Sequence, residues 1–180
     1  MIDARVNLNN LVRDAVVNTR HLWKHVAELE LDLDPDLPTL SCSRAEINQM
    51  LLSLIANAAE AIAESIPCRA GGLGQITLRT GTDGKNIVVE IEHTGCGYPG
   101  GIRNRVFDSS CRPTEVDAAC YSKLAGCYNV IVKKHQGAME VITEPGIGTT
   151  FQVTLPRFRK PALASSDLDV VDLRWGVESV

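Results

Sequence analysis

Gln49, Ser53, Asn57, Glu60 and Glu64 recur at steps of three and four in a stretch without Gly or Pro from Ser43 to Ser65, so they share one face of a helix. Asn57 stands out among them. It is a poor helix former with apolar neighbours on both sides, and a buried amide must find hydrogen-bond partners or lose stability. It is therefore either an amide at the solvent edge or one that faces a ligand. Downstream, Glu92-His-Thr-Gly-Cys-Gly-Tyr-Pro99 sets His93 just ahead of Gly95 and Gly97. A lone Gly-x-Gly after a strand reads as a tight turn, and only its neighbours in the chain give it more weight. Cys120, Cys127 and His135 have metal-ligating side chains, but the six cysteines form no Cys-x-x-Cys pair. Unrelated thiols are the simpler reading, and no metal cluster is expected.

The elements that must position these groups are well marked. Ser43 followed by Glu46 makes a capping box. Beyond it Ile47, Met50, Leu51, Leu54, Ile55, Ala58, Ala59 and Ile62 form an apolar stripe at helical spacing, one wall of a core. Asn7 caps an earlier amphipathic helix that carries Leu8, Leu11, Val12, Ala15 and Val16 and is expected to run to about His25. Leu29, Leu31 and Leu33 alternate with acidic residues as a half-buried strand, ended by Pro35 and Pro38. Residues 75–80 and 86–92 flank Asp83-Gly84, a strong hairpin signal. Residues 128–137 read as a further helix, and two more strands, 138–143 and 150–155, surround the turn 144–148.

Residues 46–62, Glu-Ile-Asn-Gln-Met-Leu-Leu-Ser-Leu-Ile-Ala-Asn-Ala-Ala-Glu-Ala-Ile, resemble the N box of bacterial sensor histidine kinases, in the ATPase superfamily shared with Hsp90 and type II topoisomerases. The resemblance implies that Asn57 holds Mg²⁺ on the nucleotide phosphates and that Ser53 assists, where family kinases usually carry Asn. His93-Thr-Gly-Cys-Gly97 stands in the place of the G1 motif Asp-x-Gly-x-Gly, and Gly146-Ile-Gly-Thr-Thr-Phe151 matches the closing Gly-x-Gly-Thr-x-Phe motif. By this likeness Ser53, Asn57, His93, Gly95, Gly97, Gly148 and Thr149 are the nucleotide-binding residues, with ATP and Mg²⁺ as cofactors. No catalytic residue is assigned.

Three departures from the family pattern bear on that site. His93 replaces the Asp that accepts from the adenine amine, which is expected to weaken adenine binding by about 1–3 kcal/mol. Ser109-Ser-Cys111 replaces the aromatic pair that follows the F box, which Ile102-Arg-Asn-Arg-Val-Phe-Asp108 resembles. Cys120-Tyr-Ser-Lys-Leu-Ala-Gly126 falls where a Gly-rich phosphate loop is expected, and side chains on Tyr121, Lys123 and Leu124 obstruct the backbone approach that such loops need. The segment 108–126 is read either as a mobile lid or as a plug that collapses onto the central helix through Val116, Cys120 and Leu124.

The resemblance covers residues 5–156 and implies a two-layer α/β sandwich of the Bergerat type, a mixed sheet of about five strands covered by about three helices. Residues 1–156 are expected to form this domain, and 157–180 a C-terminal tail or linker. Hydrophobic residues make up 44% and charged residues 22% of the chain, which fits a folded globular protein. A net charge of −4 leaves no basic footprint for nucleic acid. No apolar run approaches the roughly 20 residues of a membrane span, and the chain is read as cytoplasmic. The expected partners are a histidine-containing dimerisation domain or a response regulator of a two-component system. None of His21, His25, His93 and His135 sits in a His-Glu-like acceptor motif, so the isolated chain is expected not to autophosphorylate. The alternative is a pseudokinase-like interaction module that no longer binds ATP.

Overall fold

The apolar stripe of residues 47–62 becomes the spine of the molecule. In the computed structural model, which describes residues 4–65, 72–95, 124–144 and 146–158, it lies on α3 (Arg44–Ser65). All eight stripe residues are buried, and Ile47, Leu51, Leu54, Ile55, Ala58 and Ile62 are fully inaccessible. Sequestering the six large side chains among them contributes on the order of 10 kcal/mol, an upper figure because an unfolded chain is itself partly collapsed.

Before α3 come β1 (Ala4–Val6), α1 (Leu8–Asn18), the short α2 (Arg20–Trp23), β2 (Ala27–Leu33) and β3 (Leu40–Cys42). After it come β4 (Gly74–Thr82), β5 (Asn86–His93), a helix, β6 (Ala138–Glu144) and β7 (Gly148–Pro156). That helix, α4, is α-helical over 124–128 and widens into a π-helix at Asn129–Lys134. β2, β4, β5, β7 and β6 form one five-stranded sheet in that order, with β2 and β4 parallel and every other pair antiparallel. The parallel pair needs a crossover, and β3 and α3 supply it.

The registers put Ile76 and Leu78 beside His93 and Ile91, and these beside Thr149 and Phe151. One face of the sheet is therefore apolar and lies under the helices, as the alternation requires. The other face carries Arg79, Glu90, Glu92 and Gln152, joined by Arg79–Glu92 at 2.6 Å and Gln152–Glu90 at 2.7 Å. No helix among the described residues is long and apolar enough to cross a membrane.

The structure corrects the sequence reading in three places. The first helix does not run to about His25: it stops at Asn18, where the Thr19 hydroxyl donates to the Ala15 carbonyl at 2.7 Å, and the chain restarts as α2. β1 and β3 pair as a separate two-stranded ribbon that short, patternless segments did not announce. Lastly, α3 starts where the capping box places it, but Glu46 does not return to the Ser43 N–H.

That N–H donates instead to His135 Nε2 at 3.3 Å, across 92 positions of sequence. His135 Nε2 must then be the bare nitrogen, which leaves Nδ1–H to donate to the Val130 carbonyl at 2.8 Å. Glu46 pairs with Lys134 Nζ at 2.7 Å through one carboxylate oxygen, and its other oxygen lies 3.9 Å from His135 Nε2. One imidazole thus serves the start of α3 and the π-helical turn of α4 together. His135→Ala, which strands both backbone groups, is expected to cost about 2–3 kcal/mol in urea unfolding, whereas Lys134→Ala, half-exposed, costs no more than about 1 kcal/mol. Equal losses for the two variants would show that the imidazole is not the bridge.

Candidate functional site

β5 ends at His93 because Thr94 turns the chain: its hydroxyl accepts the Gln75 N–H at 2.9 Å, and its own N–H donates to the Gln75 carbonyl at 3.1 Å. The His93 side chain falls on the helix-covered face of the sheet. It is 1% exposed, its ring lies 6.2 Å from that of Phe151 at 27°, and neither ring nitrogen has a hydrogen-bond partner among the described residues. Burial pulls its pKa down to about 4, so the ring is neutral at physiological pH.

Gly95 and Gly148 are glycines because there is no room for more. A Cβ on Gly95 would come within 2.8 Å of His93 Nδ1 and 3.0 Å of the Ala61 backbone, and one on Gly148 would strike the His93 carbonyl. Thr149, directly opposite His93 in the β5–β7 ladder, is buried, and its hydroxyl lies 3.0 Å from that of Thr143. Four residues singled out from the sequence, His93, Gly95, Gly148 and Thr149, therefore converge at one end of the sheet against Ala61 of α3. Gly97 lies outside the described residues.

From Ala61 the polar face of α3 leads away in helical turns. Asn57 is one turn back and Ser53 two, each turn about 6 Å along the axis. Asn57 is 2% exposed, so the solvent-edge reading fails. Gln49, Glu60 and Glu64, on the same stripe, are exposed.

At Ser53 the column meets α4. Burial pushes the Cys127 thiol up to about 11, and a hydrogen bond from Ser53 partly offsets the rise. The Cys127 thiol also lies 3.9 Å from the Met50 carbonyl. Leu124, where the resemblance expects a glycine, is 1% exposed and belongs to the hydrophobic core. Of the segment 108–126 only 124–126 fall among the described residues, and Leu124 is packed as the plug reading expects. Cys127 and His135, considered above as metal ligands, are both engaged by protein groups.

Two features escaped sequence reasoning. The bridge from His135 to Ser43 had no local signal, because the two residues meet only when α4 packs across the start of α3. The insertion of Cys127 against Ser53 and Met50 was equally silent, although Leu124, Cys127 and Ile131 do fall at helical spacing.

A family model described as histidine kinase-, DNA gyrase B-, and HSP90-like ATPase matches residues 42–159. The sensor kinase CckA of Brucella abortus (strain 2308) is 29% identical over 167 residues, covering 84% of this chain and 17% of that protein. The sensor histidine kinase MtrB of Mycobacterium tuberculosis is also 29% identical over 167 residues, covering 91% of this chain and 28% of its own length. This chain thus spans less than a third of either relative. Among solved structures, the catalytic domain of histidine kinase ThkA superposes with a TM-score of 0.73 at 20% identity, covering 87% of this chain and 97% of that domain. ThkA in complex with the response regulator protein TrrA gives 0.68 at 20% identity, covering 87% of this chain and 42% of that one.

Because the folded His93 pKa is depressed, the neutral ring's contribution is complete above the unfolded value near 6.5 and is lost as pH falls toward 4. Between pH 7 and pH 5 His93 is expected to remove about 2 kcal/mol from the unfolding free energy. Urea midpoints at the two pH values should show this loss in the parent and a shallower dependence in His93→Leu; identical slopes would contradict the buried, unpartnered ring.

Proposed function

Since the chain belongs to the histidine kinase-, DNA gyrase B- and HSP90-like ATPase family, we propose that it binds Mg·ATP between α3 and the His93 end of the sheet, as the catalytic domain of a two-component sensor kinase. The observation that carries this reading is the linear order of the polar groups. The base end lies at His93, Gly95, Gly148 and Thr149, the buried Asn57 follows one turn along α3 from Ala61, and Ser53 follows one turn further. Two turns are about 12 Å, a span on the scale of a nucleotide from base to phosphates.

In this reading the base lies toward the His93 end of the sheet, where Gly95 and Gly148 approach His93 too closely for a Cβ. The Asn57 amide oxygen is a hard neutral ligand of the kind Mg²⁺ accepts while keeping several waters and phosphate oxygens. Mg²⁺ there would neutralise phosphate charge. Transfer of the γ-phosphate would go to a histidine on a separate dimerisation domain, and a response regulator would be the next partner. This chain's task is then positioning and charge balance rather than covalent chemistry.

A second reading, a partner-binding module without nucleotide, has one specific observation behind it. Leu124 is buried in the core where a phosphate loop needs bare backbone, and the buried Cys127 lies beside Ser53. The two readings part in a thermal-shift measurement. Binding of Mg·ATP at a hundred times its Kd stabilises by about 2.7 kcal/mol, several degrees of Tm for a domain of this size. The kinase reading expects that rise in the parent and its loss in Asn57→Ala; no rise at millimolar Mg·ATP would leave the interaction module.

A further inference from the structure

At the end of the sheet opposite His93 lies a small cavity lined by Arg5, Thr39, Ser41, Arg157 and Phe158. Three segments bring these residues together. β1 and β3 pair with Arg5 opposite Ser41, and the Ser41 N–H donates to the Arg157 carbonyl at 3.3 Å, which ties the end of β7 to the two-stranded ribbon. Leu40 and Cys42, on either side of Ser41, are buried, so by strand alternation Ser41 and Arg5 stand on the face turned away from the core. Thr149, which faces His93 across the β5–β7 ladder, is about 25 Å from Arg157 along an extended strand. The cavity is therefore separate from the proposed nucleotide site.

Its lining holds two cations and no carboxylate, in a chain whose net charge is −4. Among the described residues neither arginine is ion-paired. The Asp83 carboxylate, in the turn that Arg157 reaches, is taken up by the N–H groups of Lys85 and Asn86. Arg157 is held in place: its N–H donates to the Lys85 carbonyl at 3.0 Å, its Nη1 to the Gly84 carbonyl at 3.3 Å, and its guanidinium stands 5.2 Å from the centre of the Phe158 ring. Its Nε is buried with no hydrogen-bond partner among the described residues, so the guanidinium is positioned without being saturated. Two like charges around one small space repel each other, and a guanidinium fork matches the oxygens of carboxylates and phosphates. A volume of about 200 Å³ equals that of about six or seven waters. That is too small for a nucleotide, and it suits one oxyanion group. Charge balance against two guanidiniums selects a dianion, and the Thr39 and Ser41 hydroxyls add donors for a group with three free oxygens. We propose that this cavity is a phosphate site, which takes the phosphoryl dianion as free phosphate or as a phosphomonoester.

The test is a ¹H–¹⁵N NMR titration of the 180-residue chain with inorganic phosphate and, in a parallel arm, with N-acetylphosphoserine amide, the ionic strength being held constant with chloride. The expected result is saturable shifts at the amides of Arg5, Ser41 and Arg157. Arg5→Gln and Arg157→Gln should each weaken the binding by about tenfold or more, since each removes a charge-assisted contact. Arg5 is exposed, so its variant carries the test if Arg157→Gln does not fold. Tighter binding in one arm identifies the source of the phosphoryl group, and either result supports the site. Shifts that do not saturate, or that persist unchanged in both variants, would mean an adventitious ion only and overturn the proposal. Acetate saturating the same amides as tightly as phosphate would overturn the choice of a dianion. Shifts confined to His93, Thr149 and α3 would also overturn the proposal, and would leave the nucleotide reading intact.

Discussion

The seating of α3 on the apolar face of β4 and β5 is the constraint from which the rest of the structure follows. With its stripe fully buried, α3 cannot rotate without exposing Leu54, Ile55 or Ala58 on one side and driving Gln49, Glu60 or Glu64 toward the core on the other. The angular position of Ser53, Asn57 and Ala61 is therefore set by hydrophobic packing, not by any ligand. The bridge from His135 to the Ser43 N–H adds an axial stop at the start of the same helix. Preorganisation of this kind lets a site bind by positioning rather than by rearrangement.

The second constraint is steric and lies at the end of the sheet. Gly95 and Gly148 approach His93 so closely that neither tolerates a Cβ. Gly95 is thereby pinned to the His93 ring and Gly148 to the His93 backbone. Glycine is a conformational liability in a strand, and its use at Gly148 marks a close backbone approach. The same closeness leaves the His93 ring buried with no hydrogen-bond partner among the described residues.

The two ends of the column have diverged differently. At the end proposed to take the base, the buried neutral His93 stands where the resembling motif has an acidic residue. At the other end Leu124, where the resemblance expects a glycine, is buried and extends the hydrophobic core into the region where α4 begins. Apolar burial there is self-reinforcing, because Cys127 follows one turn later and its thiol is held neutral by the same desolvation. The family framework is thus retained, with apolar burial at Leu124 beside the start of α4.

The sequence by itself determined the elements and their order. The 22-residue helix, the Asp83-Gly84 hairpin and the closing pair of strands were legible because each rests on short-range rules: helical periodicity, alternation and turn chemistry. It also determined the candidate residues, since the boxes carrying Ser53, Asn57, His93, Gly95, Gly148 and Thr149 are local motifs. Only the tertiary structure decided the state of those residues. Asn57 is buried rather than at the edge, His93 is unpartnered, Ser53 is engaged by Cys127, and the start of α3 is served by His135 in place of Glu46. Each of these depends on a contact between residues far apart in the chain. Periodicity tells which face of a helix is buried, but not which distant atom will stand opposite a given side chain.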